Sequence, residues 1–444
     1  MTKGKLEIKS KHEAINRTNE NKIETISRTC CLACKSRLPE QALLKFNGMP
    51  ASAQNIPSAD EVKDDAGIPL SLYQCEACGL VQFDCQPVDY YRDVIRSGGF
   101  STTMVELRRS QYRHLIDTYG LEGKKFIEVG CGQGEFLSVL AEFPVQAFGI
   151  EHRGSLVQIA QEKGLQVSQG FTEEPETILG KDGPYDVFLS FNFLEHQPEP
   201  GVMLDCIRNN LTENGMGLIT VPSLEYILQY DGYYELIRDH IAYYSFETLR
   251  RLLELHGFEV LEEEMINRDT CSVIVRKHWA GSQVEAPGTH DGSGDQKERK
   301  AEQIEKAKSA FVNPVDISAL SRSQSMINQE LEQLTRTLES QGKTLAIWGA
   351  SHQGFTLAAT TCLGAAAKYI IDSAPFKQGR CAPASHLPIV APSYFQEHPA
   401  DLILIAAPGY TQEIAGVIRQ QFGSEVEIWT MRSEHLEKLS GSKT

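Results

Sequence analysis

Long apolar runs are missing from this chain of 444 residues. No stretch approaches the roughly 18–20 apolar residues of a transmembrane helix, so we expect no membrane partner. The first residues include no apolar stretch typical of a signal peptide, so we expect a cytoplasmic protein. A basic surplus is missing too, because 43 Lys and Arg residues are outnumbered by 59 Asp and Glu residues, giving a net charge of −16. Nucleic-acid binding requires a basic face, so we expect no nucleic-acid partner.

Cysteine is the residue type present in unusual number, and its eleven copies favour metal binding or free thiols over a disulfide scaffold. Two CxxC pairs occur, Cys31 with Cys34 and Cys75 with Cys78. Each pair can present two sulfurs from one tight turn, and two such turns complete a tetrahedral zinc site. Four thiolates leave no open coordination position, so we expect a structural Zn²⁺. Cys30 is an alternative ligand to Cys31, and buried free thiols or a redox dithiol are alternative interpretations.

Composition and pattern divide the chain into five segments. The polar segment 1–28 predicts a flexible tail, and the cysteine-rich segment 29–100 predicts a zinc-binding domain. Short apolar strands alternate with amphipathic helices over 101–278, and a second such series occupies 298–444. Residues 279–297 are rich in Gly, Ser and Pro, which is typical of a linker. The alternation predicts the α/β class, with parallel sheets covered by helices.

A glycine-rich loop follows the first strand of the 101–278 segment. The sequence FIEVGCGQG places Gly130, Gly132 and Gly134 where a ligand can approach the backbone closely. Glu128 precedes the first glycine, and Glu151 ends the next strand, where an acid can accept hydrogen bonds from ribose hydroxyls. An acid beside the loop would repel a pyrophosphate and suits a cationic ligand.

This pattern resembles the class I S-adenosylmethionine (SAM)-dependent methyltransferases. The resemblance extends over about 103–278 and includes DVFLSFNFLEH at 186–196, which matches their fourth strand and the loop after it. It implies a Rossmann-like fold with SAM as cofactor. It also implies that Asn192 of this loop lies at the SAM site and that Phe171 lies near the adenine.

The last segment has its own resemblance, carried by WGASHQG at 348–354, IDSAPFKQGR at 371–380 and SHLPI at 385–389. These stretches are similar to the C-terminal domain of the sugar C-methyltransferases, which act on nucleotide-linked keto-deoxysugars. That family has the same order of a zinc-binding domain, a SAM domain and a Rossmann-like domain. The resemblance implies a small-molecule substrate of this kind, methylated at the carbon next to its keto group. It places substrate contacts at Gly349, His352, Gln353, Lys377, Arg380 and His386.

The family's catalytic positions can be matched one at a time. Its general-base histidine matches His240, which follows Asp239 where the family usually has Glu. We expect His240 to form an enolate and Asp239 to orient it or stabilise its charged form. Tyr91 and His196 match residues expected to bind or polarise the keto oxygen. A family tyrosine falls on Ile237, so its hydroxyl is lost.

Two departures from the family pattern leave alternatives open. Besides Ile237, the chain has Gln353 where the family usually has a lysine, which removes a phosphate contact. His352, Lys377 or Arg380 can compensate for that loss. The departures admit O- or N-methylation of another small molecule as an alternative function. A binding protein with a vestigial SAM fold is a third hypothesis, and the intact glycine loop argues against it.

Overall fold

The computed structural model describes residues 28–93, 101–278, 315–432 and 435–439. Except for Arg28, the predicted tail lies outside the described residues, and so does the whole predicted linker at 279–297. The ends 94–100 of the predicted zinc-binding domain and 298–314 of the predicted C-terminal domain are likewise not described. Within the described residues, no helix combines the length and the apolar character needed to cross a membrane.

The strands are β1 (Leu44–Met49), β2 (Ile68–Gln74), β3 (Val81–Phe83), β4 (Lys125–Val129), β5 (Gln146–Glu151), β6 (Gln166–Gln169), β7 (Tyr185–Phe191), β8 (Leu211–Pro222), β9 (Ala242–Tyr243), β10 (Phe258–Ile266), β11 (Thr270–Lys277), β12 (Leu345–Trp348), β13 (Ala367–Ile371), β14 (Ile389–Val390), β15 (Leu402–Ile405), β16 (Glu427–Arg432) and β17 (His435–Lys438). The α-helices are α1 (Thr102–Tyr119), α2 (Glu135–Leu140), α3 (Gly154–Glu162), α4 (Pro200–Asn209), α5 (Leu224–Gln229), α6 (Phe246–Leu255), α7 (Ser318–Ser340), α8 (His352–Thr360), α9 (Leu363–Ala366), α10 (Tyr394–Glu397) and α11 (Thr411–Phe422).

The central domain is built on a seven-stranded sheet in the order β10-β11-β8-β7-β4-β5-β6. Strands β4 to β8 pair in parallel, as the strand–helix alternation predicts, whereas β10 and β11 are antiparallel. A short hairpin loop joins these two, and its Asn267 and Arg268 have positive φ. The sheet is therefore mixed. The carboxyl ends of β4, β5 and β7 share one edge, where doubly wound sheets bind ligands.

The N-terminal domain, which is the predicted zinc-binding domain, contains a small antiparallel sheet in the order β1-β2-β3-β9. The last strand of this sheet comes from the central domain, since Val81 pairs with Tyr243 and Gln82 with Ala242. The residues just before β9 are therefore fixed against the N-terminal domain.

The C-terminal domain has a six-stranded sheet in the order β14-β13-β12-β15-β16-β17, parallel except for the β16–β17 pair. One continuous hydrophobic cluster includes buried residues of all three domains. Phe46 of β1 stacks on Tyr233 of the central domain with ring centroids 6.4 Å apart. The three domains thus share a core, which fixes their relative positions.

Candidate active site

The four predicted zinc ligands lie together in a buried cluster. Cys31 Sγ lies 3.6 Å from Cys78 Sγ, and Cys34 Sγ lies 3.5 Å from Cys75 Sγ. All four sulfur atoms lie within 4.8 Å of one another. Zn–S bonds of about 2.3 Å place the sulfurs of a regular tetrahedron about 3.8 Å apart, so the cluster fits zinc with little adjustment. Cys30 is exposed and lies outside the cluster, so the geometry favours Cys31 as the ligand.

Two turns of similar shape present these sulfurs. The Lys35 N–H donates to the Cys31 carbonyl at 3.1 Å, and the Gly79 N–H donates to the Cys75 carbonyl at 2.8 Å. Lys35 and Gly79 have φ values of 61° and 81°. Glycine adopts this left-handed conformation readily, whereas Lys35 is held in it at a steric cost.

The glycine loop between β4 and α2 requires its glycines for backbone shape and for packing. Gly130, Gly132 and Gly134 have φ values of 73°, 60° and 81°. A Cβ atom on Gly134 would also lie only 2.3 Å from Leu165 Cδ1. The loop therefore leaves its main chain accessible at the carboxyl edge of the sheet.

Two buried carboxylates accompany this loop. Glu151 accepts hydrogen bonds from the main-chain N–H groups of Gly132 and Arg153, each at 2.9 Å. These bonds hold the Glu151 carboxylate, predicted to contact ribose, directly at the glycine loop. Glu128 lies at the centre of the sheet in β4 and is fully buried.

An aromatic group covers the neighbouring part of this edge. The Phe171 ring packs edge to face against Tyr91 and Phe193, with centroid distances of 6.0 and 6.1 Å. A Cβ atom on Gly130 would lie 3.5 Å from the Phe193 ring, so this group adjoins the glycine loop. The Tyr91 hydroxyl accepts a hydrogen bond from Arg92 Nε at 3.1 Å, which leaves its own hydrogen available for donation.

Asn192 closes the same edge after β7. It has a φ of 48°, and its side-chain oxygen accepts a hydrogen bond from Thr220 Oγ1 at 2.8 Å. Arg108 of α1 donates to Thr220 Oγ1 at 3.4 Å and lies 3.7 Å from the centroid of the Phe191 ring. Arg108 is only 1% exposed, so a positive charge is buried beside the edge.

Two histidines and a carboxylate form a second cluster. The rings of His196 and His240 lie 4.7 Å apart between centroids. Glu195 Oε1 lies 3.8 Å from His196 Nε2 and 4.0 Å from His240 Nε2. The side chain of His240 is 19% exposed and that of His196 only 5%, so His240 is the more accessible base.

Both histidines are held in their neutral form. His196 Nδ1 lies 2.8 Å from the main-chain oxygen of Asp239, which can only accept, so Nδ1 carries the proton. The Nε2 atom of neutral His196 therefore offers a lone pair. Burial lowers the pKa of His196, and burial together with nearby His196 and His352 lowers the pKa of His240 well below its usual range.

The Asp239 carboxylate is directed toward the N-terminal domain, the predicted zinc-binding domain. Its Oδ1 accepts a hydrogen bond from the Ala53 N–H at 2.8 Å, and its Oδ2 accepts one from the Tyr90 hydroxyl at 2.6 Å. The expected orienting contact with the His240 ring is therefore replaced by contacts that attach the His240 segment to the zinc-binding domain. Tyr90, the neighbour of the predicted Tyr91, is the tyrosine that contacts this segment.

The C-terminal glycine loop faces an acid of the central domain. Gly349 has a φ of 118°, and Ser351 caps the start of α8. His352 Nε2 lies 3.4 Å from Glu235 Oε2, and the Gln353 amide donates to the same oxygen at 3.2 Å. At the position where the family usually has a lysine, this acid opposes the binding of a phosphate.

The other predicted substrate-binding cations already have protein partners. Lys377 Nζ donates to the Ala350 carbonyl at 2.8 Å and lies 3.3 Å from Asp372 Oδ2. Arg380 and His386 contact the N-terminal domain, the predicted zinc-binding domain. Arg380 Nη1 donates to the Ile56 carbonyl at 2.7 Å, and His386 Nε2 lies 2.9 Å from Asp65 Oδ2. These two side chains therefore join domains in this structure, which differs from the substrate contacts expected of them.

A pocket lies where the three domains meet, beside the His240 segment. It is lined by Met49, Pro50, Ala53, Ile237, Arg238, His352, Phe355 and Thr356. Sequence reasoning assigned no role to Arg238 of this pocket, to Glu195, to Tyr90 or to Arg108. Glu195 stands directly before His196, which was a signal that could have been used. The burial of Arg108 has no comparable signal in the sequence.

Comparisons with known proteins agree with this architecture. Residues 104–263 match the methyltransferase domain family, and residues 283–427 match the C-methyltransferase C-terminal domain family. The C-methyltransferase NovU of Streptomyces niveus is 23% identical over 382 residues, covering 84% of this chain and 88% of that protein. The ubiquinone biosynthesis O-methyltransferase of Pasteurella multocida is 33% identical over 110 residues, covering 22% of this chain and 46% of that protein.

Solved structures also match part of the chain. Magnesium protoporphyrin IX methyltransferase from Synechocystis, with bound SAH, has 17% identity and a TM-score of 0.34. That match covers 43% of this chain and 97% of the other chain.

Proposed function

We propose that this chain, which belongs to the SAM-dependent methyltransferases with a C-methyltransferase C-terminal domain, methylates the carbon next to a keto group of a deoxysugar. The observation that carries the proposal is the position of His240. The side chain of this histidine is partly exposed, its pKa lies well below the usual range, and it follows by two residues Arg238, which borders the place where all three domains meet. A neutral histidine that is accessible at such a junction can act as a general base.

The residues at the carboxyl edge of the central sheet support SAM as the cofactor. Glu151 suits the ribose hydroxyls, Phe171 suits the adenine, and the main chain of the glycine loop permits close approach. The buried cation of Arg108 suits the methionyl carboxylate. When bound, SAM supplies the electrophilic methyl group that the substrate carbon accepts.

In the proposed mechanism, His240 removes the proton next to the keto group. The resulting enolate carries its charge on oxygen, and the Tyr91 hydroxyl, whose hydrogen is available, donates to that oxygen. Glu195, 4.0 Å from His240 Nε2, stabilises the imidazolium after the transfer. Neutral His196 offers an acceptor at Nε2, so it suits a substrate hydroxyl better than the enolate oxygen.

We also propose that the four-cysteine cluster binds a structural Zn²⁺ ion, with Cys31, Cys34, Cys75 and Cys78 as its ligands. Its closed ligand set supplies no catalytic position. Its role is to hold β3, which begins three residues after Cys78 and pairs with β9 next to His240.

The proposed substrate is a small keto-sugar, and a nucleotide carrier is its expected form. The similarity of residues 283–427 to the C-methyltransferase C-terminal domain supports the carbon acceptor. The Glu235 carboxylate beside Gln353 disfavours a diphosphate at that loop, so a nucleotide-linked substrate needs another anion-binding group.

The test supplies methyl-¹³C SAM and a nucleotide-linked 4-keto-6-deoxysugar to the full-length protein and follows the label by NMR. We expect a new carbon-bound methyl signal with the wild-type protein and at least a 100-fold slower appearance with His240→Gln. Both proteins should bind SAM with the same affinity, measured by calorimetry. A methyl signal on oxygen or nitrogen, or equal rates in the two proteins, would contradict the proposal.

A further inference from the structure

Tyr90 links the N-terminal domain to the segment that contains the candidate base. Its hydroxyl donates to Asp239 Oδ2 at 2.6 Å, and Asp239 is only 2% exposed. A hydroxyl–carboxylate bond of this length is charge-assisted and is roughly twice as strong as a neutral hydrogen bond. Burial and the negative charge of Asp239 raise the pKa of Tyr90, so at neutral pH the hydroxyl keeps its hydrogen for this bond.

Ser52 extends this bond into a chain with one direction. The Ser52 and Tyr90 hydroxyl oxygens lie 2.6 Å apart. Because the Tyr90 hydrogen is used by Asp239, Ser52 is the donor in this contact. The Asn55 N–H donates in turn to Ser52 Oγ at 2.8 Å. Each donor in such a chain polarises the next, which strengthens the final bond to the carboxylate.

The loop that includes Ser52 is itself held by the C-terminal domain. Arg380 Nη1 donates to the Ile56 carbonyl at 2.7 Å. The Cys381 N–H donates to the Pro57 carbonyl at 2.8 Å. The loop thus contacts the C-terminal domain at one end and the segment of the candidate base at the other. A hydroxyl presented from such a loop is a fixed support for the side chains that it contacts.

Asp239 connects this support to both histidines. It directly precedes His240, and its main-chain oxygen lies 2.8 Å from His196 Nδ1, which donates to it. The Ile241 N–H, one residue beyond His240, donates to the Glu195 carbonyl at 3.0 Å. His240 is therefore held by main-chain contacts on both sides and by the side chain of Asp239. Such support matters for a base, because a displacement of about 1 Å can slow a reaction about 100-fold.

We propose that Tyr90, supported by Ser52, is a positioning residue that aligns His240 for proton removal. The inference rests on the proposed function, because it concerns the same base. In this role Tyr90 acts through Asp239 and not on the substrate. The Asp239 carboxylate thereby orients His240 through the N-terminal domain instead of by direct contact with its ring.

The test is Tyr90→Phe, which keeps the ring and removes only the hydroxyl. The full-length protein is labelled with ¹³C at histidine Cε1, and the His240 signal is identified by its loss in His240→Gln. We expect Tyr90→Phe to shift or broaden the His240 signal, because the ring is no longer held in one place. With methyl-¹³C SAM and a nucleotide-linked 4-keto-6-deoxysugar, kcat should fall at least about tenfold and KM should change less than about threefold.

Tyr119→Phe is the matched control, since Tyr119 donates to Glu262 Oε1 at the same distance of 2.6 Å. It should leave the His240 signal and kcat unchanged. The proposal is overturned if Tyr90→Phe leaves either of them unchanged, or if its kcat returns to the wild-type value at a temperature where the variant is fully folded. The NMR comparison needs no turnover, so failure of the wild-type protein to methylate the sugar would contradict the proposed function alone.

Discussion

His240 shows how one residue acquires a function from its surroundings. Its ring is part of a cluster with Glu195 and His196, yet about a fifth of its side chain is exposed. Burial and the neighbouring rings lower its pKa, which keeps it unprotonated and ready to accept a proton. Glu195 would stabilise the charged form that results.

The depressed pKa of His240 predicts the acid limb of the pH profile. A histidine with the ordinary pKa of about 6.5 would lose about fourfold in its neutral fraction between pH 7.5 and pH 6.0. Because the pKa of His240 lies well below that value, we expect less than about a twofold fall in the methyl-transfer rate constant over this interval. Single-turnover rates at saturating SAM measure it.

The lowered pKa values of His196 and His240 also make the stability of the folded protein depend on pH. The unfolded state binds the histidine protons near pH 6.5, whereas folded His196 and His240 do not, so stability falls as the pH drops below 6.5. Rates are therefore compared at a temperature where the protein stays folded at pH 6.0. A fourfold or steeper decline under those conditions would contradict a depressed pKa at the base.

Strand β9 is the element that connects the metal cluster to the candidate active site. It begins two residues after His240 and completes the sheet of the zinc-binding domain by pairing with β3. The main-chain oxygen of Ile241 also accepts a hydrogen bond from the Phe83 N–H at 3.0 Å. Disorder in the zinc-binding domain would therefore release the His240 segment while leaving the glycine loop in place.

Metal removal tests this connection. Cys78→Ser should lower bound zinc, measured by mass spectrometry, and reduce methyl transfer at least tenfold, while SAM affinity stays within about threefold of wild type. Cys30→Ser is the control, because Cys30 is exposed and lies outside the cluster. Full methyl transfer by a Cys78→Ser protein that has lost its zinc would contradict a structural role of this site.

The elements also show what a sequence can predict. The two CxxC turns and the glycine loop are local, so spacing alone brings Cys31 near Cys34 and sets the backbone at Gly132. The pairing of β9 with β3 joins segments that are far apart in the chain. Strand β9 has only two residues, which are too few to show a strand pattern in the sequence. The antiparallel hairpin of β10 and β11 also differs from the expected parallel sheet. Its turn lacks glycine, so the sequence has no clear hairpin signal there.

At the scale of the whole molecule, the three domains share one hydrophobic cluster and meet at one pocket. The chain is acidic overall, with a net charge of −16, so an anionic substrate would need a local basic group to bind it. The sequence predicts substrate contacts for Arg380 and His386, but it could not predict their contacts to Ile56 and Asp65, which depend on how the domains dock. The resemblance predicted the order of the domains but not these contacts.

The central claim is that His240 generates an enolate at this junction, and proton exchange tests it without methyl transfer. The full-length protein is incubated with S-adenosylhomocysteine and a nucleotide-linked 4-keto-6-deoxysugar in D₂O, and the signal of the proton next to the keto group is followed by NMR. We predict exchange of this proton by the wild-type protein and exchange at least about 100-fold slower with His240→Gln at equal S-adenosylhomocysteine affinity. Equal exchange rates in the two proteins would contradict the account.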